Sequence, residues 1–145
     1  MMNNHPIVRE SPICFPEGMI GHSHYRDFYL YHLDEDSPYH YLKSIHERNW
    51  SFLVIDPLWF LAEYEVQLDE NEKAIIDLVS DDDLQLLSLV VIPDEIELVS
   101  VNLRMPICLN RYSLKAYHKV LPEQFPVKFY IFYELNDLKK RLAAQ

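Results

Sequence analysis

A mainly β protein, a small antiparallel β-barrel-like single domain with two or three short helices, is what the patterning of this chain predicts. Three observations carry that reading. Apolar and polar residues alternate with period two in several short runs; other runs are uniformly apolar and end at proline or acidic turns; and the strand–helix alternation of a doubly wound sheet is missing. With 145 residues, 49% of them hydrophobic and 13% aromatic, the chain can bury a substantial core and lies outside the composition of disordered segments. Glycine is scarce, two residues against nine prolines, so turns fall mainly to Pro, Asp, Asn and Ser. Residues 1–145 are expected to form one domain, with 1–12 and 134–145 as peripheral terminal segments.

Arg26 to Leu33 places Phe28, Leu30 and His32 on one side and Asp27, Tyr29, Tyr31 and Leu33 on the other, the alternation of a strand. After the acidic turn Asp34-Glu35-Asp36, Ser37-Pro38 offers a cap followed by proline at the first helical position. With Leu42 and Ile45 three apart, a short helix over about Pro38 to Glu47 is expected. Phe52 to Ile55 is apolar throughout, as suits a strand covered on both faces, and Pro57 then removes a ladder donor. Glu63 to Leu68 alternates, with Tyr64, Val66 and Leu68 inward and Glu63, Glu65 and Gln67 in water, which predicts another strand.

Asp69 and Glu72 form a capping box, and Ile75, Ile76 and Val79 make an apolar stripe on a helix that Asp81-Asp82-Asp83 ends. Leu86 to Ile92 reads as a strand closed by Pro93-Asp94-Glu95, with Leu98 to Leu103 as its hairpin-like neighbour and Pro106 at an edge or bulge. Val127, Phe129, Ile131 and Tyr133 alternate with Lys128, Tyr130 and Phe132 in a last strand. Glu134 to Ala143 then carries Leu138 and Leu142 at helical spacing, with Lys139, Lys140 and Arg141 suited to a helix carboxyl end.

Thirteen basic and twenty-three acidic side chains give a formal charge of −10. That charge disfavours direct contact with nucleic acid phosphates and attracts basic proteins over a Debye length of roughly 8 to 10 Å. Cys14 and Cys108 are too few for a disulfide framework and read as reduced thiols. Met1 to Pro16 lacks a signal-peptide pattern, and no 18-residue uncharged stretch occurs, so a cytoplasmic protein with no membrane partner is expected.

The chemistry of catalysis finds little purchase. His22-x-His24, with His32 and His40, lacks a cysteine pair or an H-E-x-x-H spacing and reads as surface or half-buried histidine, with no metal or cofactor expected. Neither cysteine nor any serine sits in a nucleophile elbow, and no glycine-rich phosphate loop exists, so no enzyme is expected. The carboxylates of 34–36 and 81–83 belong to turns, where solvated charge is the ordinary state. Tyr25, Tyr29, Tyr31, Tyr39 and Tyr41 have no basic groove beside them, which leaves core packing or a protein-binding surface as their use.

Five motifs carry a resemblance. Phe15-Pro16-Glu17-Gly18-Met19-Ile20-Gly21, Asp36-Ser37-Pro38 and Phe52-Leu53-Val54-Ile55-Asp56-Pro57 occur first. Tyr64-Glu65-Val66-Gln67-Leu68 and Val101-Asn102-Leu103-Arg104-Met105-Pro106-Ile107-Cys108-Leu109-Asn110 follow. In this order and spacing, from Cys14 to about Phe132, the chain resembles the flagellar assembly factor family, FliW. Two departures stand late: Arg111 to Tyr117 lacks the glycine usual in that family, and Phe129 stands where a histidine is usual.

The resemblance implies a small β-barrel-like protein that binds the translational repressor CsrA and releases flagellin messenger RNA; with no heptads and no long exposed apolar stripe, a monomer is expected when it is free. Free flagellin competes for it, which returns CsrA to the message. On this reading Asp34, Glu35, Asp36, Asp81, Asp82 and Asp83 supply an acidic field, and with Asp56, Tyr64 and Asn102 of the shared motifs they form the expected partner-binding set. Gly18, Gly21, Pro57 and Pro106 are expected to shape turns and strands. An acidic small-ligand-binding sensor barrel and a hydrolase using His22 or His24 are the competing readings.

Overall fold

A computed structural model describes residues 9–32, 37–47 and 49–132. The first four strands meander: β1 (Arg9–Cys14), β2 (Asp27–His32), β3 (Tyr39–Ser44) and β4 (Ser51–Ile55), each antiparallel to its predecessor. β4 passes to the eight-residue β5 (Leu84–Val91) through Val54↔Leu89 and Ile55↔Ser88. There the sheet forks. Leu84 to Leu87 pair with β7 (Ile107–Asn110), which continues to β8 (Ala116–His118). Val90 and Val91 pair instead with β6 (Ser100–Val101), which continues to β9 (Phe129–Tyr130).

The sheet curls until β1 meets the start of β8, where Cys14 forms one parallel bridge with Lys115 and donates its N–H to the Leu114 carbonyl at 3.1 Å. The architecture is therefore mainly β, antiparallel and barrel-like, as the patterning predicts, although the ladder stops short of full closure. Inside the curl, Phe15, Phe28, Leu30, Leu42, Val54, Leu87 and Ile107 fill the space with side chains. Phe15 and Phe28 meet edge to face at 5.4 Å. A second core, with Ile55, Leu86, Cys108, Val101 and Ile131, covers the opposite face of the same strands.

Neighbouring residues of a strand point to opposite faces. Val54 and Ile55, Leu86 and Leu87, and Ile107 and Cys108 are accordingly divided between the two cores. That division is why β4, β5 and β7 carry apolar residues on both faces, with polar residues confined to Ser51, Gln85, Ser88 and Asn110.

Several expectations are corrected. Pro38 to Glu47 is not a helix: Tyr39–Ser44 forms β3, with Leu42 and Ser44 buried and Tyr41 and Lys43 exposed. The Ser37 hydroxyl accepts the Tyr39 N–H across a two-residue turn, so it caps no helix. The aromatic, period-two character of Tyr39 to Tyr41 outweighs the local Ser-Pro signal because β2 and β4 flank it on both edges. Glu63 to Leu68 keeps the expected alternation, with Tyr64 and Leu68 buried and Glu65 and Gln67 exposed, yet it joins no ladder.

The capping box is present: Asp69 Oδ1 accepts the Glu72 N–H at 2.8 Å and Glu72 Oε1 accepts the Asp69 N–H at 3.0 Å. The helix it starts, α1 (Glu70–Ile75), is shorter than expected. It stops where Asp77 takes φ 55, leaving Val79 97% exposed, and Asp81–Asp83 forms a separate 3-10 turn. The expected strand Leu98 to Leu103 shortens to β6, and within Val127 to Phe132 only Phe129–Tyr130 forms β9, Tyr133 lying outside the described residues. The expected helix Glu134 to Ala143 and the turn Asp34 to Asp36 lie outside the described residues.

Two buried polar groups tie peripheral segments to the sheet. Lys119 Nζ lies 2.7 and 2.8 Å from the two carboxylate oxygens of Glu72, which joins α1 to the residue following β8. His118 accepts the Ile20 N–H on Nδ1 at 3.0 Å and holds Nε2 3.1 Å from the Met105 carbonyl, joining the glycine-containing amino-terminal turn to the loop before β7.

Within that turn Gly18 has φ +75, and a Cβ built on it lies 2.2 Å from the backbone oxygen of Ser23. Gly21 shares the positive φ but has open space around it. Gly18→Ala is expected to lower stability by more than about 1 kcal/mol and Gly21→Ala by less, since the first adds a backbone clash to the strain both share. Urea midpoints of the two variants check this order.

Candidate partner-binding groove

β4 ends at Ile55 because Asp56-Pro57 turns away into a short 3-10 helix (Pro57–Trp59), capped by Asp56 Oδ1 accepting the Leu58 N–H at 2.9 Å. Tyr64 to Leu68, which follow, line a groove together with the start of β5 without pairing to it. The groove, of about 460 Å³, is lined by Tyr64 to Leu68, by Leu84 to Leu86, and by Asp56, Leu58, Lys73, Asp81 and Arg111.

Three members of the expected partner-binding set converge here: Asp56, Tyr64 and Asp81. Burial pushes the Asp56 carboxyl up from its ordinary range, opposed by the Leu58 N–H and by the charges of His40 and Arg111. Tyr64 is buried, donates its hydroxyl to the Leu103 carbonyl at 2.6 Å, and turns its ring edge toward Phe125 at 6.0 Å. Burial raises its phenol, with a smaller contribution from Cys108. Asp81 lies 3.8 Å from Lys73 Nζ, which also reaches Glu70 at 3.9 Å.

Tyr64→Phe is expected to cost about 1 to 2 kcal/mol, because it leaves the Leu103 carbonyl without its hydroxyl donor. Thermal unfolding of the variant measures it, and an unchanged midpoint would show the hydrogen bond to be dispensable.

The remaining residues of the set lie elsewhere. Asp82 is exposed and Asp83 half-buried on the 3-10 turn beside the groove, where the Ser80 hydroxyl accepts the Asp82 N–H at 3.2 Å. Asn102 lies after β6 and closes a turn, its Oδ1 accepting the N–H groups of Arg104 and Met105 at 3.0 and 3.1 Å. Asp34, Glu35 and Asp36 are outside the described residues.

Sequence reasoning missed Lys73, Arg111, Glu65 and Gln85 as groove residues. Arg111 donates its N–H to the Asp83 carbonyl at 2.9 Å and a guanidinium nitrogen to the Leu84 carbonyl at 3.3 Å, which pins the acidic turn to the start of β5. Only the register of β7 on β5 reveals that arrangement. Asn110 behaves similarly: it is 2% exposed, donates to the carbonyls of Ile76 and Asp77, and accepts from Tyr112 and Ser113, so this motif residue organises the β7–β8 turn.

The groove can receive a cationic or hydrogen-bonding group. Cys108 lies in the core, where burial pushes its thiol up to about 12, and burial likewise raises Cys14, aided by Asp27. Among the described residues no group of three or more His, Cys, Asp or Glu side chains is placed to hold a metal ion, and no helix is long and apolar enough to cross a membrane.

Fold and groove together define an acidic, antiparallel β protein with a charged cleft beside an interrupted sheet edge. A family model described as FliW protein matches residues 2–131. The flagellar assembly factor FliW of Carboxydothermus hydrogenoformans is 32% identical over 130 residues, covering 90% of this chain and 83% of that protein. That of Bacillus subtilis is 31% identical over 115 residues, covering 79% and 80%. A solved structure described as the crystal structure of the flagellar assembly factor FliW shares the fold, with a TM-score of 0.76 at 23% identity over 83% of this chain and 85% of that one. The chain belongs to the FliW family of flagellar assembly factors.

Proposed function

We propose that this chain is a cytoplasmic partner switch that transforms no substrate: it binds CsrA and lifts repression of flagellin messenger RNA, and it binds flagellin, which competes for it. Family membership carries the reading. The charge of −10 supports it, since an acidic protein draws in a basic RNA-binding repressor and disfavours phosphates arriving beside it. The proposed contact set combines the groove residues Asp56, Tyr64 and Asp81 with Asp82, Asp83, Asn102 and the acidic turn Asp34-Glu35-Asp36. Tyr64 acts in it by shaping the wall. A small-ligand sensor is the competing reading, and thermal-shift screening separates it from the partner switch.

A gel shift of flagellin leader RNA with CsrA tests the switch. Adding this protein is expected to free the RNA, and adding flagellin to return CsrA to it; RNA that stays bound throughout would overturn the proposal. Replacing 34–36 and 81–83 by neutral amides is expected to slow association with CsrA at low salt, and an unchanged rate would remove those turns from the mechanism.

A further inference from the structure

We infer that the groove is a strand-addition slot, built to take an extended segment of a partner protein that carries a lysine or arginine among apolar residues. The inference rests on the partner-binding reading and names how a partner chain is held.

Its basis is the phase of the ladders. Arg111 donates its N–H to the Asp83 carbonyl, while on the β8 side Asn110 donates to the Lys115 carbonyl and the Pro106 carbonyl accepts from Lys119. Main-chain groups of a strand alternate in direction. Residues 83, 85 and 87 therefore turn theirs toward β7, and 84, 86 and 88 turn theirs toward β4. Ser88 meets Ile55 there. Continuing that register, the position opposite Leu86 falls to Pro57, which has no N–H and whose carbonyl already accepts from Phe60 and Leu61 at 3.2 and 2.9 Å. Leu84 is satisfied by Asp81 and Arg111. By that phase Leu86 turns its N–H and C=O away from β7, toward the side where the β4 ladder has ended at Ser88.

The other extended-pattern segment lining the groove has the same character. Tyr64 to Leu68 alternates in burial as a strand does, yet among the described residues its main-chain groups make no hydrogen bond. Backbone groups left in this state on two segments lining one cleft are what an added strand would satisfy. Side chains select the occupant. Val66, Leu84 and Leu86 offer apolar contact, and Asp56 and Glu65 have no ion pair within 4 Å among the described residues. Lys73 and Arg111 are already engaged with Asp81 and the Leu84 carbonyl. The charge left to be matched is negative.

The test is an NMR titration of the 15N-labelled full chain with the blocked peptide Thr-Val-Lys-Val-Thr at millimolar concentration. Shifts are expected at the amides of Leu86 and Glu65 to Leu68. N-methylating the central lysine should weaken binding by about tenfold or more, as loss of a strand hydrogen bond requires. Norleucine in place of lysine should weaken it severalfold in the native chain and not in Asp56→Asn. Absent shifts, shifts confined to another face, or indifference to N-methylation would overturn the slot. Intact CsrA and flagellin are titrated in parallel. Binding of either that leaves the groove amides unmoved defeats the slot and keeps the partner reading, whereas peptide in the slot with neither protein bound defeats that reading alone.

Discussion

Glu72→Ala is expected to destabilise the protein by about 4 kcal/mol, more than any surface charge here would. Glu72 is 8% exposed and performs two tasks with one carboxylate. Its Oε1 completes the capping box at the Asp69 N–H, and both oxygens receive Lys119 Nζ. Asp69 still caps the residue-72 amide, but the Asp69 N–H loses its acceptor, at about 0.5 to 1 kcal/mol. The pair is largely but not wholly buried, its side chains 18% and 11% exposed, so stranding the ammonium costs about 3 kcal/mol, the low end for a buried pair. The same physics predicts partial rescue: adding Lys119→Met to Glu72→Ala should recover about half the loss, since the orphaned ammonium is gone. Urea unfolding of the two single variants and the double variant measures the coupling. A loss below about 1 kcal/mol, or no rescue, would show that α1 is held by apolar contacts alone.

Acid is expected to weaken the fold through His118 before most carboxylates respond. Burial pulls its imidazole from the ordinary 6.5 down to about 4, against a smaller upward pull from the Met105 carbonyl. Because Ile20 N–H donates to Nδ1, a second ring proton has nowhere to go without breaking that bond. With the folded value below the unfolded one, the unfolded chain binds more protons between the two. The stabilisation is therefore whole above about pH 6.5 and disappears as the pH falls toward 4. It amounts to about 3 kcal/mol at neutral pH. The difference in unfolding free energy between the native chain and His118→Gln, followed from pH 7.5 to 4, should shrink by that amount. A difference that stays constant across the range would mean that His118 titrates alike in both states.

Much of this architecture is visible in the chain. Alternation at Phe28 and Leu30, the uniform run Phe52 to Ile55, the Asp69–Glu72 box and the breaks at Pro57 and Pro93 each depend on neighbours close in sequence, and each reappears in the fold. The failures share a cause. Ser37-Pro38 looks like a helix start until β2 and β4 claim both edges of Tyr39–Ser44, a decision made by segments far along the chain. Glu63 to Leu68 has a strand's pattern because one side is buried, and burial says nothing about whether an edge is available for pairing.

The groove was legible only in part. Asp56 and Tyr64 stand in quoted motifs, and Asp81 in an acidic turn. Their meeting with Lys73 and Arg111 depends on how β7 registers on β5, which local patterning does not encode.

The fork at β5 has a dynamic consequence. Because β4, β6 and β7 all fasten to this one strand, releasing any single branch leaves it moored by the other two. Its amides at Leu87, Ser88 and Leu89 should consequently trade protons with solvent only through whole-molecule opening, while β9 and the short β6 fray and reclose many times within that interval.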